Sequence, residues 1–286
     1  MRAVTASTEV SARVGVFDSG VGGLSVLRAI RRQLPGVRAL YVADQAHVPY
    51  GPRPVAEVRV FSEGIARYLL ARGARLIVVA CNAASAGALH HLREILPRVP
   101  FVGMEPAVKP AAETTRTGKV GVLATPATFQ GALFASVVER FANGVELFTH
   151  TCPGLVAQIE AGNLDGAQTR TILEDALRPM LSEGIDTVVL GCTHYPFVIP
   201  LIQQIVGPGV RVIDPAPAVA RQAGRVLAQT ASDAMAGSSG GTGSVRAVTS
   251  GEPDRLTGLL PLLLGEAWPV GRVRWNTDGR LDDVPA

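Results

Sequence analysis

Two apolar, β-branched runs in this chain end in the same way. Leu76-Ile77-Val78-Val79-Ala80-Cys81-Asn82 and Thr187-Val188-Val189-Leu190-Gly191-Cys192-Thr193-His194 each close on a small residue, a cysteine and then hydrogen-bonding side chains. Such a run, bounded by polar residues, reads as a fully buried strand of a parallel sheet. Ligands in open α/β sheets bind outside the carboxyl ends of the strands. Both cysteines are therefore expected at strand tips.

The repetition extends upstream. Val14-Gly15-Val16-Phe17-Asp18-Ser19 precedes the first cysteine strand, and Val120-Gly121-Val122-Leu123-Ala124-Thr125 precedes the second at a similar distance. Two similar α/β units are expected, with parallel sheets flanked by helices and a pseudo-twofold relation between them. The division expected is 12–103 plus 215–286 for the first unit and 104–214 for the second. If the units face one another, one thiol lies on each side of a shared cleft. That geometry suits a reaction needing a base on one face of a carbon and an acid on the other.

The bulk composition narrows the class. A chain of 286 residues with 47% hydrophobic content has ample core for one large or two ordinary domains. The net charge of +3 is mild, and no basic cluster interleaves with aromatics, so nucleic-acid binding gains no support. Three cysteines make no disulfide framework, which points to a reducing cytoplasm. No secretory signal is expected in residues 1–12. No apolar run approaches the roughly 18 residues of a membrane span.

Strand and helix patterns alternate along the chain. Residues 1–11 read as a disordered leader. A strand over 13–17 runs into the turn Asp18-Ser19-Gly20-Val21-Gly22-Gly23, and a helix follows to about Leu34. The turn is neither G-x-G-x-x-G nor a P-loop. It reads better as a tight strand-to-helix turn whose backbone N–H groups hold a carboxylate. Asp44 to Pro54 is a proline-rich rigid loop. A helix over 54–72 is expected to turn Val55, Val58, Ile65 and Leu69 inward. His90 and His91 read as solvated. One helix is expected over 126–142, another over 165–181, and Leu259 to Leu264 as a core helix segment. Ser238 to Gly243 reads as a flexible loop, and Val245 to Thr249 as a strand added to the first sheet.

A lone free cysteine is most often a small buried hydrophobe, and Cys152 is read that way. Two cysteines at matching strand tips argue for chemistry. A helix starting after each would favour the thiolate. Zinc binding fits poorly, because Cys192-Thr193-His194 is too tight for the usual ligand spacing and no second pair exists. A cysteine hydrolase with His194 as base would leave Cys81 unused.

Four stretches together carry a specific resemblance. They are Gly15 to Leu24, Val48-Pro49-Tyr50-Gly51-Pro52-Arg53, Val79 to Asn82, and Gly191-Cys192-Thr193-His194-Tyr195-Pro196. In these the chain resembles the glutamate racemases of the aspartate/glutamate racemase superfamily, from about Arg13 to near Gly265. The resemblance implies a racemase working without pyridoxal phosphate, other cofactor or metal. Cys81 and Cys192 would be the acid/base pair, supported by Asp18 and His194, with Glu160 matching an acidic residue near the site. Substrate contacts are implied at Asp18, Ser19, Pro49, Tyr50, Gly51, Asn82, Ala83, Thr125, Thr193 and His194. The implied setting is a bacterial cytoplasm, where the product D-glutamate supplies peptidoglycan and cell-wall biogenesis, and the implied assembly is a homodimer. One position departs from the family's Cys-Asn-Thr: Ala83 lacks a hydroxyl, for which Ser85 or a water is the expected substitute. Two other readings stand beside this one. One is a racemase of the same superfamily acting on aspartate or another acidic substrate. The other is a non-catalytic amino-acid binding protein.

Overall fold

The buried strand runs pair as parallel neighbours, and this pairing sets the architecture. The computed structural model describes residues 14–230 and 243–285. The expected leader, and Ser238 to Thr242 of the expected loop, lie outside them. In chain order the elements are β1 (Val14–Asp18), α1 (Leu24–Gln33), β2 (Ala39–Ala43), α2 (Val55–Ala71), β3 (Leu76–Val79), α3 (Asn82–Ile95), β4 (Phe101–Gly103) and α4 (Val108–Thr114). Then come β5 (Lys119–Ala124), α5 (Pro126–Gln130), α6 (Ala132–Phe141), β6 (Glu146–His150), α7 (Leu155–Glu160), α8 (Ala167–Ser182) and β7 (Thr187–Gly191). A 3-10 turn (Tyr195–Val198), α9 (Ile199–Val206), β8 (Arg211–Ile213), α10 (Ala216–Thr230), β9 (Val245–Thr249), α11 (Pro253–Leu264), β10 (Val270–Trp275) and β11 (Leu281–Asp283) complete the order.

Two sheets result. The first runs β11-β10-β9-β2-β1-β3-β4 and the second β6-β5-β7-β8. All pairs are parallel except β10 with β11. The internal repeat is visible in this order: β2-β1-β3-β4 and β6-β5-β7-β8 are the same arrangement, and each cysteine follows the third strand of its unit. Every residue of β1, β2, β3 and β7 is buried, as expected for strands covered on both faces. The largest apolar cluster spans both sheets, including Val26 and Leu27 of α1, Leu177 of α8 and Leu201 and Ile202 of α9.

Several sequence expectations need correction. Val55 is half exposed at the first turn of α2, while Val58, Ile65 and Leu69 are buried. The single helix over 126–142 is two, α5 and α6, separated by Gly131 in extended backbone (φ −72°, ψ 138°). In α11, Leu259, Leu260 and Leu263 enter the core, but Leu262 faces out. The strands β10 and β11 carry no continuous apolar run. As the edge of the first sheet they need none. β9 adds to β2 as expected.

Because β7 sits between β5 and β8, its packing sets the position of Cys192. Leu190 is fully buried on it. Replacing Leu190 with Ala should cost about 2–5 kcal/mol. Urea unfolding should show a lower midpoint at unchanged slope.

Candidate functional site

Both cysteines meet at one small cavity. It is lined by Asp18, Ser19, Pro49, Tyr50, Gly51, Cys81, Asn82, Ala83, Thr125, Val156, Cys192, Thr193 and His194. Cys81 leaves β3 as the residue capping α3, and Cys192 follows β7 directly. Every site residue expected from sequence lines this space except Glu160, which stands behind His194. Val156 of α7 lines it as well, outside every motif. It is an apolar residue with no chemical signature. The open volume is only about 20 Å³, room for about one water and far below the roughly 300–1,000 Å³ usual for a ligand site, so the walls stand close together. A larger hollow of about 650 Å³ lies at the opposite end of the second sheet, beside Arg116, Asp186 and Arg211. It contains no thiol, and the Asp186 carboxylate there is already taken up by Thr115, Arg116, Thr117 and Thr187.

The glycine-rich turn after β1 holds carboxylates on its N–H groups, and they are the protein's own. Gly23 N–H donates to Asp18 Oδ2 at 2.8 Å and Val21 N–H donates to Glu160 Oε1 at 2.7 Å. Tyr41 closes the turn by donating from its hydroxyl to the Gly20 carbonyl at 2.6 Å. The glycines are needed for close approach. A Cβ on Gly20 would lie 1.9 Å from Glu160 Oε1, and one on Gly22 would lie 2.5 Å from His194 Nδ1 and 2.7 Å from Asp18 Oδ2.

Each thiol has a different neighbour. Cys192 Sγ is 3.8 Å from His194 Nδ1, and His194 Nε2 is 2.7 Å from Glu160 Oε1. Glu160 also accepts from Gln45 Nε2 at 3.0 Å. Burial favours neutral imidazole, but hydrogen bonds to Cys192 and Glu160 outweigh it and raise His194 well above the usual imidazole range. Burial likewise favours a neutral Glu160, yet bonds from His194, Val21 and Gln45 leave it below its usual value. The pair is thus an imidazolium and a carboxylate. Cys81 has the reverse surroundings. Burial and the adjacent Asp18 charge push its thiol well up, so it keeps its proton. Burial also raises Asp18, against the pull of His194.

Three buried polar atoms at the cavity are unpaired among the described residues: Asp18 Oδ1 and both amide atoms of Asn82. A buried polar group without a partner costs about 1–3 kcal/mol, so these atoms are placed for a polar ligand. Ser85 is not available to replace a hydroxyl at Ala83. Its Oγ donates to the Val79 carbonyl and accepts from Met104 N–H. Cys152 is buried at positive φ (46°) and does not line the cavity; burial pushes its thiol up to about 12. His90 is exposed beside Glu94, and His91 lies partly covered beside Glu63.

The ion pair makes stability depend on pH with a definite sign. His194 is raised from 6.5, so its contribution is complete below 6.5 and is lost as pH climbs through the folded value. Glu160 is lowered from 4.5, so its contribution is complete above 4.5 and is lost as pH drops through the folded value. Glu160→Gln should therefore cost about 3 kcal/mol, most fully between pH 4.5 and 6.5. Thermal melts of both proteins across pH should show the gap narrowing on either side.

Known proteins resemble this chain over nearly its whole length. A family model described as Asp/Glu/Hydantoin racemase matches residues 14–223. A glutamate racemase of Pseudomonas paraeruginosa is 53% identical over 263 residues, covering 92% of this chain and 98% of that protein. The crystal structure of glutamate racemase RacE1 from Bacillus anthracis superposes with a TM-score of 0.79 at 32% identity, over 92% of this chain and 97% of that one. Escherichia coli glutamate racemase, solved with L-glutamate and the activator UDP-MurNAc-ala, gives a TM-score of 0.79 at 32% identity, over 96% and 100%. No helix among the described residues is long and apolar enough to cross a membrane. The chain belongs to the Asp/Glu/hydantoin racemase family and, within it, groups with the glutamate racemases.

Proposed function

We propose that this protein interconverts L- and D-glutamate by proton transfer between two thiols at the α-carbon. The observation that carries this reading is the cavity itself, where Cys81 and Cys192 stand among buried polar atoms that have no partner among the described residues. In one direction Cys192, as thiolate, takes the α-proton while the Cys81 thiol gives one to the opposite face. The imidazolium of His194, held by Glu160, stabilises negative charge on Cys192 sulfur and gives that sulfur its proton when the reaction runs in reverse. Asp18 does the corresponding work for Cys81 as acceptor. General acid–base transfer supplies about 10²–10⁴-fold. The rest of the barrier falls through preorganised donors around the carbanion-like state and through exclusion of water. Ser19, Asn82, Thr193 and the loop Pro49-Tyr50-Gly51 bind the amino acid, with Thr125 and Ala83 on its flanks.

This reading includes the two-unit division at 12–103 plus 215–286 and 104–214, with the cavity between them. It also includes a cytoplasmic role supplying D-glutamate for peptidoglycan, and a homodimer. The L-glutamate complex of the Escherichia coli relative supports the substrate.

Purified protein incubated with L-glutamate in D₂O should lose ellipticity while deuterium enters the α-position by NMR. Binding without exchange would leave an amino-acid binding protein. Faster turnover of L-aspartate would move the assignment within the superfamily, with Ala83 as the reason. Cys81→Ala and Cys192→Ala should each lower kcat by at least about 10²-fold with the fold intact. A single mutant racemising at the parent rate would exclude the two-thiol scheme. Gly22→Ala should also lose most activity, because its Cβ would fall 2.5 Å from His194 Nδ1 and 2.6 Å from Thr193 Oγ1.

A further inference from the structure

Tyr50 lines the cavity, but its hydroxyl points away from the chemistry. It donates at 2.6 Å to Oδ2 of Asp44, a fully buried carboxylate at the end of β2. His47 Nδ1 lies 2.9 Å from the same oxygen. The other oxygen is held from the far end of the chain. Ser250 Oγ donates to Oδ1 at 2.6 Å, and Trp275 Nε1, on β10, donates to it at 2.7 Å. The Trp275 ring also packs edge-on to His47, with centroids 5.4 Å apart, and against Phe61 at 5.6 Å. β10 and its partner β11 are themselves anchored on α2, where the Tyr68 hydroxyl donates to Asp283 at 2.6 Å.

We propose that Trp275 is a positioning residue for the substrate pocket: through Asp44 it fixes the Tyr50–Gly51 wall, so the β10–β11 hairpin shapes the site without touching it. The physical case is one of shared acceptors. A carboxylate buried among four donors holds each of them in a fixed geometry only while the others hold the carboxylate. Loss of the indole N–H frees Asp44 to turn, and Tyr50 moves with it. Tyr50 meets the substrate before and during reaction alike, so the loss appears as uniform binding.

The kinetic part of this inference rests on the racemase reading, and a second readout does not. Trp275→Phe keeps the ring packing and removes the donor. It should raise KM for glutamate about threefold to tenfold with kcat nearly unchanged. A merely structural role would instead lower kcat with the active fraction and leave KM alone. In a Tyr50→Phe background the same substitution should add nothing, because the route passes through the Tyr50 hydroxyl. An unchanged KM in Trp275→Phe, or additive effects of the two substitutions, overturns the proposal. The chain has two tryptophans, so Trp268→Phe, remote from the cavity and paired with Glu266, leaves Trp275 as the sole reporter. Tyr50→Phe in that protein should shift the Trp275 emission maximum and its acrylamide quenching without any substrate. Identical spectra and quenching overturn the proposal even if glutamate proves not to be the substrate or Trp275→Phe does not fold.

Discussion

A buried ion pair holds the two halves of the site together. Glu160 and His194 both belong to the second half of the chain, yet Glu160 accepts from Val21 in the turn after β1 and from Gln45 after β2. Removing two charges from water costs several kcal/mol per ion, which only close hydrogen bonding offsets. Glu160 meets that condition with three donors, and Arg255 donates in addition to its carbonyl oxygen. The turn must come close enough to supply its N–H, and that closeness leaves no room for side chains at positions 20 and 22. The glycines, the carboxylate and the imidazolium are one arrangement seen from three sides.

The two thiols are related by the internal repeat but not by their chemistry. The register places Ala124 beside Gly191 in the second sheet and leaves Asp18 at the matching place in the first. Only the first unit therefore has an acid at that strand tip. The second has its charge on the other strand, at His194. A carboxylate beside Cys81 and an imidazolium beside Cys192 leave one sulfur protonated and give the other a cation. The proposed two-face proton transfer would start from that unequal pair, and a strictly symmetric duplication would not provide it.

Much of this was legible in the residues. The apolar runs revealed the buried strands, because a strand covered on both faces has no polar alternation to confuse it with a surface strand. The motifs single out both cysteines, Asp18, Asn82 and His194, and the fold brings these residues to one cavity. What was not legible depended on contacts distant in the chain. Glu160 looks like any helix-end glutamate until Val21, 139 residues away, is brought to it. In sequence Ser85 is a hydroxyl close enough to replace the missing one, but the fold commits it to the backbone of β3 and to Met104. Val55 and Leu262 sit at helical spacing with core residues yet face out, since periodicity marks a face without fixing its edges. The β10–β11 hairpin has no apolar signature because it forms the edge of the sheet, and its tie to Asp44 is set by tertiary folding alone.

The narrowness of the cavity has a kinetic consequence. A space with room for about one water admits no amino acid until its walls part, so encounter with the surface and entry to the site are separate events. The rate at which ligand binds is then capped by how often the walls part, whatever the ligand's concentration beyond that point. Tight-fitting ligands would bind slowly as well as leave slowly. Loosening any of the contacts that tie the turn after β1 to the second sheet beside the cavity, such as Val21 to Glu160 or Ser25 to the Thr193 carbonyl, would trade the tightness of the site for faster access.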